Sequence, residues 1–176
     1  SLVKQAIVSS GRSICFLAID GFLGVEWQTF ISVMKESLVE AGFSTETIDI
    51  SSHYKPHSEN GKIIDSYLTG DPFFGRVFDG CLEDFLDTSS LDALKEKLES
   101  HKSKKTTSTG SSPQAVICYG CGAANNFLRE FYDFVFYVDI TREEFVKRIQ
   151  KNEFGFLRPQ EISEGMSQAA DIGLPV

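Results

Sequence analysis

Residues Ser13 to Ile19 (SICFLAI) form an almost unbroken apolar run that stops at Asp20-Gly21-Phe22-Leu23-Gly24. Such a run, without the polar alternation of a half-exposed strand, predicts a β-strand buried on both faces. A strand of that kind belongs to a parallel sheet with helices packed above and below it, and the remaining sequence has to supply them. Phe30, Ile31, Met34 and Leu38 recur at helical spacing, with Gly42 placed to end the helix. Thr45 to Ile50 reads as a second strand, and Ser58 to Leu68 as a short amphipathic helix stopped by Gly70-Asp71-Pro72. Leu91, Leu94 and Leu98 mark a helix capped by Ser89 or Ser90. Ala115 to Tyr119 reads as a strand, Ala123 to Phe131 as a helix and Phe134 to Val138 as a strand. Thr141 and Glu144 have the spacing of a capping box, opening a helix with Phe145, Ile149 and a basic face of Lys147, Arg148 and Lys151. Strands separated by helices imply right-handed βαβ units, so the expected fold class is α/β, a mostly parallel sheet flanked by helices in three layers.

At 176 residues the chain has the length of one domain, expected to occupy residues 1–152. The polar stretch 101–113 (HKSKKTTSTGSSP) is expected to be a mobile loop within it, and residues 153–176 a tail or linker in which Leu157-Arg158-Pro159 leads toward a following domain. The chain opens Ser1-Leu2 without a methionine or a signal pattern, which fits a piece of a longer protein. A net charge of −8 disfavours a nucleic-acid partner, because affinity for phosphate backbones comes from clustered Lys and Arg. No apolar run reaches the roughly 20 residues that span a bilayer, so no membrane partner is expected. Four cysteines, at 15, 81, 118 and 121, are too few and too scattered for a disulfide framework, which points to the cytoplasm.

Ligands of parallel sheets bind beyond the carboxyl ends of the strands. Two loops there bear glycine, Asp20 to Gly24 after the first strand and Gly120-Cys121-Gly122 after the third. Backbone N–H groups in such loops can face an anion, which makes Asp20, Gly21, Gly24, Gly120 and Gly122 candidate ligand-binding residues. The structural alternative for Asp20 is to cap the following loop. Cys118-Tyr119-Gly120-Cys121 is a CxxC, with two readings: a dithiol redox pair, or small buried side chains beside a tight turn. A zinc site would need two further ligands, and His53, His57 and His101 lack the spacing for it.

The segment FLAIDGFLGVEWQTFISVMKESLVEAGFSTETIDISSHYK resembles the opening of the uridine kinase and phosphoribulokinase-like group of P-loop kinases. In that group an apolar strand leads into the phosphate loop, a helix, a second strand and a short Asp-x-Phe-Tyr-like stretch. AVICYGCGAANNF resembles the strand and turn before a later helix of these kinases, and FYDFVFYVDITREEFVKRIQKN their closing strand and Arg-rich helix. The resemblance covers most of residues 13–152 and implies a P-loop NTPase-like fold.

The departures bear on function. A working loop reads G-x-x-x-x-G-K-[ST]: the second glycine admits the phosphates, the lysine neutralises their charge and the hydroxyl holds magnesium. Gly21 fits the first position, but Glu26, Trp27 and Gln28 stand where the glycine, the lysine and the hydroxyl belong, and Thr29 follows one place late. ATP-Mg is therefore expected to bind poorly, and no cofactor is expected. Ser51 to Lys55 aligns with the stretch where the family carries an aspartate able to accept the substrate's proton, which a serine cannot do, although Asp49 lies just upstream. A second, narrower resemblance joins SSHYKP, TGDPFFGRVFDGCLEDFLD and ICYGCGAA to a kinase-like domain that precedes type I mannose-6-phosphate isomerase in some bacterial proteins. The metal-binding histidines of that cupin isomerase are absent from this chain, so any isomerase activity would lie on another domain.

These resemblances imply a catalytically degenerate kinase-like domain that binds a phosphorylated small molecule or a following cupin isomerase domain. Lys55, Arg76 and Arg148 are the candidate phosphate contacts, with His53, Tyr54 and Asp71 beside them, His53 and Asp71 meeting sugar hydroxyls. The bland reading places the cations in solvated ion pairs and makes Phe73, Phe74 and Phe78 core anchors. Trp27 is expected to pack over the helix start rather than stack on a base. Two alternatives stand beside this reading: an atypical nucleoside or sugar kinase using a displaced lysine such as Lys55 or Lys147, and a dithiol redox protein centred on Cys118 and Cys121.

Overall fold

The computed structural model describes residues 13–22, 24–69, 75–103 and 112–151. Four strands, β1 (Ile14–Gly21), β2 (Ser44–Asp49), β3 (Gln114–Tyr119) and β4 (Phe134–Val138), form one sheet in the order β2-β3-β1-β4. Every pairing is parallel, with Leu17 opposite Ile117 on one side and Phe134 on the other. The helices among the described residues are α1 (Trp27–Glu40), α2 (His57–Tyr67), α3 (Thr88–Ser103) and α4 (Arg142–Gln150), with short 3-10 turns between.

The apolar runs are buried on both faces because successive side chains of a strand point to opposite sides of the sheet. Phe16 and Ala18 of β1 join Val116 and Cys118 of β3 and the Leu91, Leu94 and Leu98 stripe of α3. Cys15, Leu17 and Ile19 join Ala115 and Ile117, together with Ile31 and Leu38 of α1, on the other face. The result is an α/β fold of three layers, and each leucine of the α3 stripe contributes on the order of 2 kcal/mol by leaving water. α1 ends where the sequence placed its stop. Gly42 takes φ +90°, its N–H donates to the Val39 carbonyl at 2.9 Å, and the Phe43 N–H donates to Leu38 at 3.0 Å, a Schellman closure with Leu38 and Phe43 buried together.

The chain divides into two compact units. One, Ser1–Tyr54 with Leu82–Asp139, holds the sheet, α1 and α3. The other, Lys55–Cys81 with Ile140–Val176, holds α2 and α4. Within the second unit Tyr67 donates its hydroxyl to Asp79 and packs edge-on against Phe78, with ring centroids 4.9 Å apart. α4 opens with the Glu144 N–H donating to Thr141 Oγ1 at 3.2 Å, half of the predicted capping box, while the Glu144 carboxylate accepts from Arg148 Nε at 2.9 Å.

Three readings of the sequence need correction. The helix over Ala123 to Phe131 does not form; turns and a 3-10 stretch, Arg129–Phe131, replace it. Asn125 is the cause: its Nδ2 donates to the Gly122 carbonyl at 2.8 Å and its Oδ1 accepts from the Phe127 N–H at 2.9 Å, so the side chain takes backbone partners that a helix would use. The cap of α3 is Asp87 rather than Ser89 or Ser90, its Oδ1 accepting from both of their N–H groups at 2.9 and 3.2 Å. His101, Lys102 and Ser103 belong to the last turn of α3 instead of a loop. Of the rest of the expected mobile loop, residues 104–111 lie outside the described residues, as do Asp71, Phe73, Phe74 and the tail 153–176. Among the described residues no helix is long and apolar enough to cross a membrane.

Candidate functional site

The strand order fixes where a site can be. From β1 the chain runs past β3 to the β2 edge, with α1 packed on one face; from β3 it crosses β1 to reach β4, with residues 123–132 packed on the opposite face. Neighbouring strands β1 and β3 thus send their connections to opposite faces, and the crevice beyond their carboxyl ends is the switch point of the sheet. Asp20-Gly21 and Gly120 to Ala124 meet there, as the glycine positions predicted.

What fills the crevice is the chain itself. Asp20, half-buried, accepts at Oδ1 from the N–H groups of Gly21 at 2.7 Å and Gly122 at 2.9 Å, and at Oδ2 from the Ala124 N–H at 3.0 Å. A carboxylate on backbone N–H groups is a charge-assisted arrangement, each bond worth about 1.5–3 kcal/mol. Asp20 therefore caps a loop, as its structural alternative held, but the loop after β3 rather than only its own.

That second loop is also held from behind. Tyr54 Oη donates to the Cys121 carbonyl at 2.9 Å, Tyr132 Oη to the Ala123 carbonyl at 2.9 Å and Asn125 Nδ2 to the Gly122 carbonyl at 2.8 Å. Gly120 and Gly122 have φ of +119° and +80°, and a methyl group on Gly122 would sit 2.8 Å from Leu82 Cδ2 and 3.2 Å from Tyr54 Oη. Burial raises the pKa of both tyrosines, with Cys121 adding to the effect at Tyr54 and Cys118 at Tyr132, so both hydroxyls stay protonated donors.

Gly21 is closely packed as well. A Cβ on Gly21 would lie 2.8 Å from the Trp27 ring, which tilts against Tyr119 with centroids 6.3 Å apart and packs on the buried cluster of Ile19 and Ile31. Burial raises the pKa of the Tyr119 hydroxyl, with Asp49 adding to the effect and Gln28 opposing it. Glu26 accepts from Thr29 Oγ1 at 3.0 Å. Gly24 takes φ +88° in the turn between. Close packing against Trp27 and the Val138 backbone, rather than approach to a phosphate, is what requires glycine at position 21.

Asp20, Gly21, Tyr54, Gly120 and Gly122 are thus brought together. His53 is directed instead to α3, its Nδ1 2.6 Å from Ser90 Oγ, and burial lowers its pKa against the raising effects of Ser90, Asp49 and Asp87. Lys55, Arg76 and Arg148 belong to the second unit, where the Lys55 carbonyl accepts from Asn60 Nδ2 at 3.0 Å, the Arg76 N–H donates to the Tyr67 carbonyl at 2.7 Å and Arg148 pairs with Glu144. The residues missed from the sequence are Asn125, Tyr132 and Glu83, whose Oε1 accepts from the N–H and Nδ2 of Asn126 at 3.2 and 3.0 Å. The Asn125-Asn126 pair, a turn signal, was the available clue.

Cys118 is fully buried in the core and Cys121 half-buried, and burial pushes both thiols up to about 11. A dithiol redox pair needs the reverse, a lowered pKa at a helix N-terminus, and no helix follows Cys121 here. No group of three or more His, Cys, Asp or Glu side chains among the described residues is placed to hold a metal ion.

No curated protein matches the chain. Residues 2–170 match the family described as a domain of unknown function (DUF8485), and the chain belongs to that family.

Proposed function

We propose that this chain is a degenerate P-loop kinase-like domain without phosphotransferase activity, which acts by binding a partner domain. The observation that carries this reading is the Asp20 carboxylate on the N–H groups of Gly21, Gly122 and Ala124, at the point where a sheet of this order would receive an anion. A triphosphate approaching the crevice meets this carboxylate, with Trp27 in place of a lysine. Two like charges 4 Å apart near a protein surface repel by about 4 kcal/mol, roughly a thousandfold in affinity. Gln28, where the family carries a hydroxyl, offers none to magnesium.

Of the two ligand classes that the resemblance implies, the partner domain is favoured over a phosphorylated small molecule. The N–H groups suited to a phosphate are already satisfied, while the first turns of α1 line an open apolar groove of about 470 Å³ formed by Val25, Glu26, Thr29, Phe30, Val33 and Met34. Phe30 and Val33 are exposed there, and contiguous exposed apolar side chains commonly mark protein contacts. A cupin domain of the mannose-6-phosphate isomerase type is the partner that the second resemblance implies.

Calorimetric titration with ATP-Mg, followed by an assay for γ-phosphate transfer to nucleosides and sugars, tests this directly. No heat and no transfer are expected. Tight binding with transfer would overturn the proposal in favour of an atypical kinase.

A further inference from the structure

We propose that the N–H groups of Gly21, Gly122 and Ala124 form a cradle for a small oxyanion, and that the Asp20 carboxylate is its internal, competing ligand. Three donors converge on the two oxygens of one carboxylate at 2.7, 2.9 and 3.0 Å, from segments 102 or more residues apart in two of the three cases. The cradle does not depend on Asp20 for its shape. Tyr54, Tyr132 and Asn125 hold the carbonyls of Cys121, Ala123 and Gly122, and the left-handed Gly120 and Gly122 shape the turn whose Gly122 and Ala124 N–H groups are aimed at Asp20. Successive N–H groups in such turns form anion-binding concavities. The donors therefore stay directed at the same point when the carboxylate is withdrawn.

A tethered ligand competes at an effective concentration of millimolar or far higher, so the wild-type cradle is closed to free anions at ordinary concentrations. The apparent affinity of any free anion is reduced by the fraction of time that Asp20 occupies the site. The cradle rests on these hydrogen bonds and not on the kinase-like reading. Binding of ATP by the wild type would refute that reading and leave the anion titration of the Asp20 variant as decisive as before.

The test is the full chain with Asp20→Ala, titrated with inorganic phosphate and, separately, with formate, against chloride at equal ionic strength. Thermal unfolding and the amide resonances of Gly122 and Ala124 are followed. Saturable shifts at both amides are expected, with a rise in Tm of about 4 °C once the anion exceeds its Kd tenfold, and no comparable change in the wild type. Formate acting alone identifies a carboxylate-sized cradle; phosphate acting too extends it to tetrahedral oxyanions. Should Asp20→Ala not fold unaided, Asp20→Ser, which also opens the site, is titrated in the same way. A folded variant whose two amides do not respond to either anion, or a wild type that responds equally, would overturn the proposal.

Discussion

Gly122 sits at φ +80° with Leu82 and Tyr54 closing on the place where a side chain would begin. Gly122→Ala therefore combines a strained backbone with a clash, and a loss of about 1–3 kcal/mol is expected in urea unfolding. A cost under a few tenths of a kcal/mol would mean that the loop relaxes without consequence. The glycines themselves were legible in the sequence, since few other residues suit a tight turn at the end of a buried strand. The partner of Asp20 was not. The carboxylate lies 102 residues from Gly122 along the chain, and only the pairing of β1 with β3 brings them together. Local pattern identifies which residues can bind an anion, whereas the identity of the anion is a tertiary fact.

Elements defined by apolar periodicity were read closely: β3 and β4 fall within a residue of their expected bounds, and α2 is displaced by one. The 123–131 segment failed because its apolar spacing is real, with Ala123, Leu128 and Phe131 all buried, but Asn125 diverts the backbone. Asn125→Ala leaves the Gly122 carbonyl and Phe127 N–H without these partners, and a destabilisation of about 1–3 kcal/mol is expected, with faster amide exchange at Phe127. Unchanged exchange would contradict the role assigned to Asn125. His53 links the 3-10 turn Ile50–His53 to α3 through Ser90. Its folded pKa lies below the ordinary value of 6.5, burial being the largest cause, so the unfolded chain binds more protons across that window. Stability held above pH 6.5 is expected to fall as pH drops through the lowered folded pKa, and His53→Gln should flatten that limb of the profile. A profile that keeps the same slope in the variant would assign the titration to another group.

For the molecule as a whole, the sequence exposed the three-layer arrangement because β1 and β3 are apolar at nearly every position, which only a sheet covered on both sides tolerates. The division into two units was less visible, since Lys55–Cys81 interrupts the sheet unit without any shift in composition. Function was less legible still. On the proposed kinase-like reading Glu26, Trp27 and Gln28 are departures from a phosphate loop, but the pattern alone does not tell what occupies the crevice: an internal carboxylate, with an indole over Gly21. The crevice is filled by the protein's own side chains, and on the proposed reading no nucleotide enters it. Trp27 is the one tryptophan of the chain and, at the start of α1, its ring lies against Gly21, so its fluorescence, excited away from nucleotide absorption, reports on that site alone. Titrating the wild type with ATP-Mg into the millimolar range is predicted to leave the emission unchanged after correction for absorbance. A saturable change in Trp27 emission would contradict the claim that the crevice is closed to nucleotides.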